Sequence, residues 1–272
     1  MRSVKIKEVI DALERFAPLP LQEEYDNAGL QVGLTEAEVS GALLCLDVTE
    51  RVVDEAITKG YNLIVAHHPL IFRKLSQVTD ANYVQRTVIK AIKNDIVIVA
   101  MHTNLDAAFG GVNFKIAEKL RLRDVRFFGR EKVVTNPLTD KKVTGGDGVI
   151  GCFDTPLAAD DLILLLKKEF DVECVQANEL LRREIQTVAL CGGSGSFLLQ
   201  DAINAGADAF ITGEMGYHEF FGHEQEIQLC VIGHYQSEQY TTEVLRDVIE
   251  RDCPGVKCCI SEINTNPIVY FS

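Results

Sequence analysis

Histidines and carboxylates stand at the ends of several apolar segments, and these residue types are the usual ligands of divalent metal ions. His67 and His68 follow YNLIVA, Asp106 ends VIVAMHTNLD, and His234 and Glu238 lie within LCVIGHYQSE. Five candidate ligands exceed the three protein ligands of a typical catalytic zinc. They predict two metals about 3.5–4 Å apart, bridged by a carboxylate or a hydroxide. The donor types suit Zn, Mn, Fe, Co or Ni.

Two further residues are candidates for catalysis. His102 stands four residues before Asp106, just as His234 stands four residues before Glu238. We expect His102 to support the site through a hydrogen bond or to act as a general acid or base. Glu214 follows the apolar segment DAFITG and is a candidate to orient a substrate or activate water. A purely structural hydrogen bond is the alternative for both residues.

Two glycine-containing segments lie among these candidates. Residues 191–197, CGGSGSF, are typical of a tight strand-to-helix turn, and such turns can also cradle a phosphate on backbone N–H groups. The segment matches neither the G-x-G-x-x-G nor the Walker A pattern, so both interpretations stay open. Residues 26–33, DNAGLQVG, predict a turn into a strand, and Asp26 is a candidate to point into the site.

The elements that position these residues follow from the hydrophobic pattern. Short apolar strands alternate with amphipathic helices, which predicts an α/β fold with a parallel sheet covered by helices. Residues 4–16 predict the first helix, and the next is predicted to be capped by Thr49 and to stop at Gly60. Ligands of such folds gather beyond the carboxyl ends of the strands, where the candidate residues fall.

The second half of the chain repeats the first. Residues 42–68 align without gaps with residues 188–214, and a later match places Asp106 over Glu238. We interpret this repeat as an internal duplication that yields two similar α/β domains. The predicted domains are residues 1–126 plus 239–272, and residues 127–238. The polar segment 127–148 predicts a hairpin or linker, whereas a helix at 238–251 and the strand KCCISEI are expected to return to the first domain.

Composition excludes several classes of function. The formal net charge of −13 disfavours nucleic-acid binding, because an acidic surface repels phosphate backbones. The sequence contains neither an apolar signal core nor 18 uninterrupted apolar residues, so we expect a cytoplasmic protein without a membrane span. The eight cysteines lack the spacing of a zinc ribbon or a disulfide scaffold, and fit small buried residues in a reducing compartment.

Six motifs in this order resemble the interacting-factor-3-like family, whose members are often named GTP cyclohydrolase 1 type 2 homologs. They are DNAGLQVG, AHHPLIF, HTNLDAAFGGVN, CGGSGSF, TGEMGYHE and GHYQSE. The resemblance covers residues 4–271. It implies two similar α/β domains with a two-metal site in the cavity between them, held by the same five ligands. It also implies a toroidal homohexamer assembled as a trimer of dimers.

The family name points to hydrolytic opening of the purine ring of GTP. We therefore expect a dinuclear-metal-dependent hydrolase that acts on a nucleotide or related small molecule through a metal-bound hydroxide. The alternative is a non-enzymatic protein, either a metal-binding protein or a regulatory adaptor that works through protein–protein interaction. Turnover by the metal-loaded protein would distinguish the two hypotheses.

Overall fold

The structure is a computed structural model that describes residues 3–271 of the 272-residue chain. Its α-helices are α1 (Ile6–Phe16), α2 (Glu50–Lys59), α3 (Tyr83–Lys93), α4 (Thr103–Ala107), α5 (Val112–Lys119), α6 (Ala159–Glu169), α7 (Leu199–Asn204), α8 (His234–Glu238) and α9 (Thr241–Asp252). Its strands are β1 (Gly29–Val32), β2 (Ala42–Cys45), β3 (Leu63–Ala66), β4 (Val97–Ala100), β5 (Arg123–Thr135), β6 (Lys142–Leu157), β7 (Gln176–Ala177), β8 (Ile185–Cys191), β9 (Ala209–Thr212), β10 (Gln228–Val231) and β11 (Cys258–Ile260). The fold is mixed α/β with two sheets, as the alternation of strand and helix patterns predicted.

The chain divides into two compact units. Unit 1 contains the described residues up to Leu105 together with Val134–Val143 and Thr241–Val269. Unit 2 contains Asp106–Val133, Thr144–Tyr240 and the described residues from Tyr270 onward.

The sheet of unit 1 has the strand order β1-β4-β3-β2-β11. Strands β2, β3 and β4 run parallel to one another, and β11 is parallel to β2, whereas β1 is antiparallel to β4. Every residue of β2, β3 and β4 is buried, as expected for parallel strands that are covered on both faces. Because these strands are parallel, the residues that follow them emerge at the same edge of the sheet.

Helix α2 confirms the predicted boundaries. The Thr49 side chain accepts a hydrogen bond from the backbone N–H of Val52 at 3.3 Å, which satisfies a donor of the first turn. Gly60 ends the helix in the left-handed conformation, with φ of 69°. Helix α1 begins two residues later than predicted, because Lys5 is extended and forms a bridge with Glu38.

The sheet of unit 2 has the strand order β5-β6-β8-β9-β10-β7. Strands β8, β9 and β10 are parallel, whereas β6 pairs antiparallel with β8 and β7 antiparallel with β10. Phe128, Ala189, Phe210 and Leu229 belong to the apolar core that supports this sheet. Burial of a large side chain such as Phe210 or Leu229 contributes about 1.5–3 kcal/mol to stability. This core therefore stabilises the strands whose ends carry the candidate residues.

The structure tests the predictions for two segments, residues 127–148 and residues 238–251. Of the two options for the polar segment 127–148, the structure shows a hairpin of β5 and β6, in which Asn136 N donates to Lys141 O at 2.8 Å. The helix predicted over 238–251 is present as α9, but it begins three residues later than predicted, at Thr241, and Glu238 instead ends the separate helix α8. The Gln239 side chain, which follows α8, donates to Phe170 O at 3.0 Å and so anchors the break between α8 and α9. No helix within residues 3–271 has the length and apolar character needed to cross a membrane.

Candidate metal centre

Three histidines of unit 1 form a compact group that we call the His cluster, namely His67, His68 and His102. His67 and His68 follow β3, and His102 follows the neighbouring parallel strand β4. The ring centroids lie 4.8 Å apart for His67 and His68, and His102 lies 5.3 Å and 5.4 Å from those two rings respectively. One nitrogen from each ring lies within 4.8 Å of the others, so the cluster is able to hold a metal ion.

Each ring of the His cluster is oriented by an oxygen atom beside its Nδ1. Nδ1 of His67 lies 2.8 Å from the backbone oxygen of Met101, and Nδ1 of His68 lies 2.7 Å from Asp47 Oδ1. Nδ1 of His102 lies 2.7 Å from Asp26 Oδ1. Carbonyl and carboxylate oxygens accept protons, so the proton of each neutral ring sits on Nδ1 and Nε2 carries the metal-binding lone pair. Histidine ligands of metals usually have this arrangement.

The two carboxylates that orient histidines are themselves anchored. Burial raises the pKa of Asp26, but hydrogen bonds from His102 and Thr103 outweigh it and bring this pKa to about 2. Burial likewise opposes ionisation of Asp47, and its partner His68 lowers the pKa below the usual value. Asp47 also accepts a hydrogen bond from Thr265 Oγ1 at 2.8 Å. Both side chains are therefore carboxylates at neutral pH.

Asp47 also belongs to the candidate site, although no sequence motif pointed to it. It follows β2, which lies beside β3 in the sheet. The signal was present, because a carboxylate after an apolar strand meets the polar residues after the neighbouring parallel strands. Asp26, in contrast, is a candidate from its sequence motif, and its carboxylate contacts the His cluster at His102.

In unit 2, His234 is paired with two carboxylates. Its Nε2 lies 3.1 Å from Glu238 Oε2, and its Nδ1 lies 3.2 Å from Glu214 Oε1. His234 and Glu238 begin and end α8, so their spacing of four residues places them on one helix face, as predicted. The Glu238 side chain is only 5% exposed, whereas that of Glu214 is 52% exposed. A buried carboxylate of this kind is stabilised in its ionised form by a cationic partner or a metal ion.

Gly193 makes room for the Glu238 carboxylate. The backbone N–H of Gly193 donates to Ser237 Oγ at 3.0 Å, which ties the turn to α8. Its φ of +59° lies in the left-handed region that favours glycine. A β-carbon at this position would collide with Glu238 Oε1, so the close approach of turn and carboxylate requires glycine.

Asp106 lies in the same neighbourhood of unit 2. Asn113 donates to the backbone oxygen of Asp106 at 3.2 Å and accepts from Gly192 N at 2.9 Å, so it links the two segments. Burial raises the pKa of the nearby Cys191 thiol, and the carboxylates of Asp106 and Glu238 raise it further. The thiol is therefore protonated at neutral pH, and carboxylates rather than a thiolate are the anionic donors here.

Side-chain oxygens hold the backbone of the glycine-rich turn at residues 191–197. Three of its backbone N–H groups are occupied by side-chain oxygens: those of Gly192 by Asn113, Gly193 by Ser237 and Gly195 by Thr212. These N–H groups hold the turn together, which favours the tight-turn interpretation.

Each unit contributes sequence-predicted residues of its own. Unit 1 brings together His67, His68 and His102, although His102 had been predicted as a catalytic residue rather than a member of a histidine group. Unit 2 pairs His234 with Glu238 and with Glu214, whose Oε2 also accepts a hydrogen bond from Ser194.

Comparisons with known proteins extend over nearly the whole chain. A sequence model of the family described as Duf34/NIF3 (NGG1p interacting factor 3) matches residues 4–267. A Clostridium perfringens protein named GTP cyclohydrolase 1 type 2 homolog is 33% identical, over 98% of this chain and 100% of its own length. A protein of the same name from Lactococcus lactis is 32% identical, over 97% of this chain and 98% of its own. The crystal structure of a Staphylococcus aureus hypothetical protein superposes with a TM-score of 0.88 at 28% identity, covering 99% of this chain and 100% of that one.

Proposed function

The chain belongs to the Duf34/NIF3 family, and from this membership and the His cluster we propose that it is a divalent-metal-dependent hydrolase. The proposed substrate is a nucleotide or a related small molecule. The name GTP cyclohydrolase 1 type 2 homolog, which its relatives carry, supports hydrolytic chemistry on a purine nucleotide. The reaction class in this proposal is hydrolysis by an activated water.

The proposed centre is dinuclear, with His67, His68, Asp106, His234 and Glu238 as ligands. It rests on the internal sequence repeat, in which imidazoles and carboxylates follow equivalent strands of two similar α/β domains. The domain division at residues 1–126 plus 239–272 and 127–238 remains part of this proposal. The proposed site lies in the cavity between the two domains.

The donor set fits such metals. Imidazole nitrogens and carboxylate oxygens suit Zn, Mn, Fe, Co or Ni, and the nearby thiol of Cys191 is held protonated. A bound divalent metal would supply Lewis acidity and lower the pKa of water. The number and identity of the metals are part of the proposal.

Other residues near the proposed centre would orient its histidine ligands and transfer protons. Asp47 and the backbone oxygen of Met101 hold the rings of His68 and His67 with their lone pairs on Nε2. His102, oriented by Asp26, would exchange a proton with the reacting group through its Nε2. Glu214 is half exposed beside His234, so its carboxylate would accept a proton from water or orient the substrate.

The observation that carries this proposal is that three neighbouring histidines each have Nδ1 held by an oxygen. A structural histidine needs one such hydrogen bond, but a structural role gives no reason for three rings to converge. The experiment is to load the protein with Mn, Fe, Co, Ni or Zn, then measure bound metal and GTP turnover.

The variants His67→Ala and Glu238→Ala are expected to lose both bound metal and turnover. The matched control is His223→Ala, because His223 is likewise paired with a carboxylate, Glu226, at 2.9 Å. We expect His223→Ala to retain metal and activity. Full metal binding and turnover by His67→Ala would contradict the proposal.

A second candidate function is a non-enzymatic metal-binding protein or regulatory adaptor. The family description, NGG1p interacting factor 3, supports a role in protein–protein interaction. We also propose the toroidal homohexamer, a trimer of dimers, that the sequence resemblance implied. Native mass spectrometry should then give a mass six times the 30.2 kDa of the chain. Tight metal binding without turnover of any nucleotide or phosphoester would favour the adaptor over the hydrolase.

A further inference from the structure

Two exposed aromatic side chains stand beside the His cluster. Phe72 is 46% exposed and Tyr25 is 68% exposed. The Phe72 ring lies edge-to-face against His102, with 6.1 Å between the centroids, and Tyr25 lies 6.4 Å from Phe72 at an interplanar angle of 66°. We call Tyr25 and Phe72 the aromatic pair. The aromatic pair is therefore in ring contact with His102, a candidate catalytic residue.

The aromatic pair is held by hydrogen bonds of the backbone around it. Asn27 Nδ2 donates to the backbone oxygen of Ile71 at 2.6 Å, and the backbone N–H of Ile71 donates to Gln31 Oε1 at 3.1 Å. These bonds join the segment that carries Tyr25 to the segment that carries Phe72. Hydrogen bonds therefore hold together the two segments that expose these rings to solvent, although aromatic rings are more stable when they are buried away from water.

Two cations follow Phe72 directly in the sequence. Arg73 and Lys74 are both exposed, in a chain whose net charge is −13. Neither forms a salt bridge with another residue of the range 3–271. Positive charge next to exposed aromatic rings complements a ligand that has a flat ring and an anionic group.

We propose that the aromatic pair binds the flat ring of an aromatic anion, namely the base of a nucleotide, and that Arg73 and Lys74 attract its phosphate. Because the two rings are tilted by 66° to each other, the base would stack on the face of Phe72 and meet Tyr25 at an angle, beside His102. The identification of this ligand as a substrate rests on the proposed hydrolase function, but the binding site itself does not.

The absence of tryptophan from the sequence permits a direct binding test. A Phe72→Trp variant would carry a single tryptophan whose fluorescence reports stacking. The probes are GMP, guanosine and ribose 5-phosphate, which contain base and phosphate, base alone, and phosphate alone. The matched control is Tyr83→Trp, because Tyr83 is a 57% exposed aromatic of the same unit, at the start of α3.

We expect GMP to quench the fluorescence of Phe72→Trp saturably, guanosine to do so at higher concentration, and ribose 5-phosphate to have no effect. Tyr83→Trp should not respond to any probe. Equilibrium dialysis should show that Phe72→Ala weakens GMP binding about tenfold, because its ring no longer stacks on the base. The double variant Arg73→Ala/Lys74→Ala should weaken binding of GMP but not of guanosine.

The absence of saturable quenching, or equal responses from Phe72→Trp and Tyr83→Trp, would overturn the binding site. This failure is distinct from failure of the proposed function. GTP turnover without quenching would contradict the proposed binding site at the aromatic pair and would support the proposed hydrolase function. Quenching by GMP without turnover in the presence of any of the metals would support the binding site at the aromatic pair and contradict the proposed hydrolase function.

Discussion

Nδ1 of His102 lies 2.7 Å from Oδ1 of Asp26, although 76 residues separate the two in the sequence. The other carboxylate oxygen of Asp26 accepts hydrogen bonds from the backbone N–H of Thr103, at 3.1 Å, and from the hydroxyl of Thr103. The Asp26 side chain is fully buried. The carboxylate therefore holds the ring of His102 and the first residue of α4 together, and leaves the ring little freedom to rotate.

Neutralising Asp26 should separate catalysis from metal binding. We expect Asp26→Asn to lower kcat for GTP about 10- to 100-fold with little change in metal content, because His102 is proposed to transfer a proton rather than bind metal. Asp47→Asn is the matched variant, since Asp47 holds His68 in the same way at 2.7 Å. Asp47→Asn should instead weaken metal affinity about 10- to 100-fold. Metal titration and steady-state kinetics of both variants check this. Loss of metal by Asp26→Asn to the same degree would show that His102 is a ligand.

Substitution of Gly193 by alanine should reduce metal binding as well as the stability of the fold. In Gly193→Ala, the added β-carbon would meet the Glu238 carboxylate, so we expect loss of bound metal together with a stability loss above about 1 kcal/mol. Gly206→Ala is the control, because Gly206 has a similar φ of +73° but nothing within 4 Å of the added carbon. That variant should lose about 1 kcal/mol of stability and keep its metal. Urea unfolding and metal analysis measure both effects, and normal metal content in Gly193→Ala would contradict the prediction.

Removal of metal should affect activity far more than folding. The buried side chains of each unit, such as Ile64 and Phe210, form apolar cores to which none of the five proposed ligands belongs. We expect a chelator to abolish turnover while the far-ultraviolet circular dichroism spectrum is unchanged. The melting temperature should fall only by the amount that ligand binding adds to the native state. Adding Mn, Fe, Co, Ni or Zn separately to the metal-free protein should show which of these metals recovers activity. Collapse of the fold on chelation would mean that the metal contributes to folding itself.

Asp208 should make stability depend on pH. Burial raises its pKa, but hydrogen bonds from the backbone N–H groups of Thr187 and Gln186 and the Arg183 guanidinium outweigh burial and lower it. Because the folded pKa is below the unfolded value of about 3.9, this stabilisation is present above about pH 4 and is lost as pH falls through the folded pKa. At pH 7 Asp208→Asn should cost about 1–2 kcal/mol, since one carboxylate oxygen becomes an NH2 group that cannot accept a hydrogen bond and the negative charge beside Arg183 is lost.

Urea unfolding of wild type and Asp208→Asn between pH 2 and pH 7 measures this effect, and the two curves should converge at the acidic end. Asp154→Asn is the control, because Asp154 forms only an exposed ion pair with Arg123 at 3.2 Å and is 70% exposed. Its loss should change stability by less than about 1 kcal/mol at any pH. A constant difference between wild type and Asp208→Asn across this pH range would refute the assignment.

Much of the fold was predictable because it depends on local spacing. The apolar segments around Leu43, Ile64 and Ile98 identified buried parallel strands, and Thr49 and Gly60 marked the ends of α2. The same spacing placed His67 and His102 after neighbouring strands. Because parallel strands direct their carboxyl ends to one edge, the sequence alone locates the residues that could carry chemistry.

Residues that touch across long stretches of sequence were not predictable in this way. No spacing rule connects Asp47 with Thr265 or His102 with Asp26, because these pairs arise from the packing of loops after the strands have assembled. The start of α9 at Thr241 rather than at Glu238 was not predictable for the same reason: it depends on the contact of Gln239 with Phe170 rather than on helix propensity. Local periodicity in the chain is sufficient to specify strands, helices and the edge where polar residues collect. The protonation of each imidazole and the burial of each carboxylate depend instead on distant partners that only folding brings within hydrogen-bond distance.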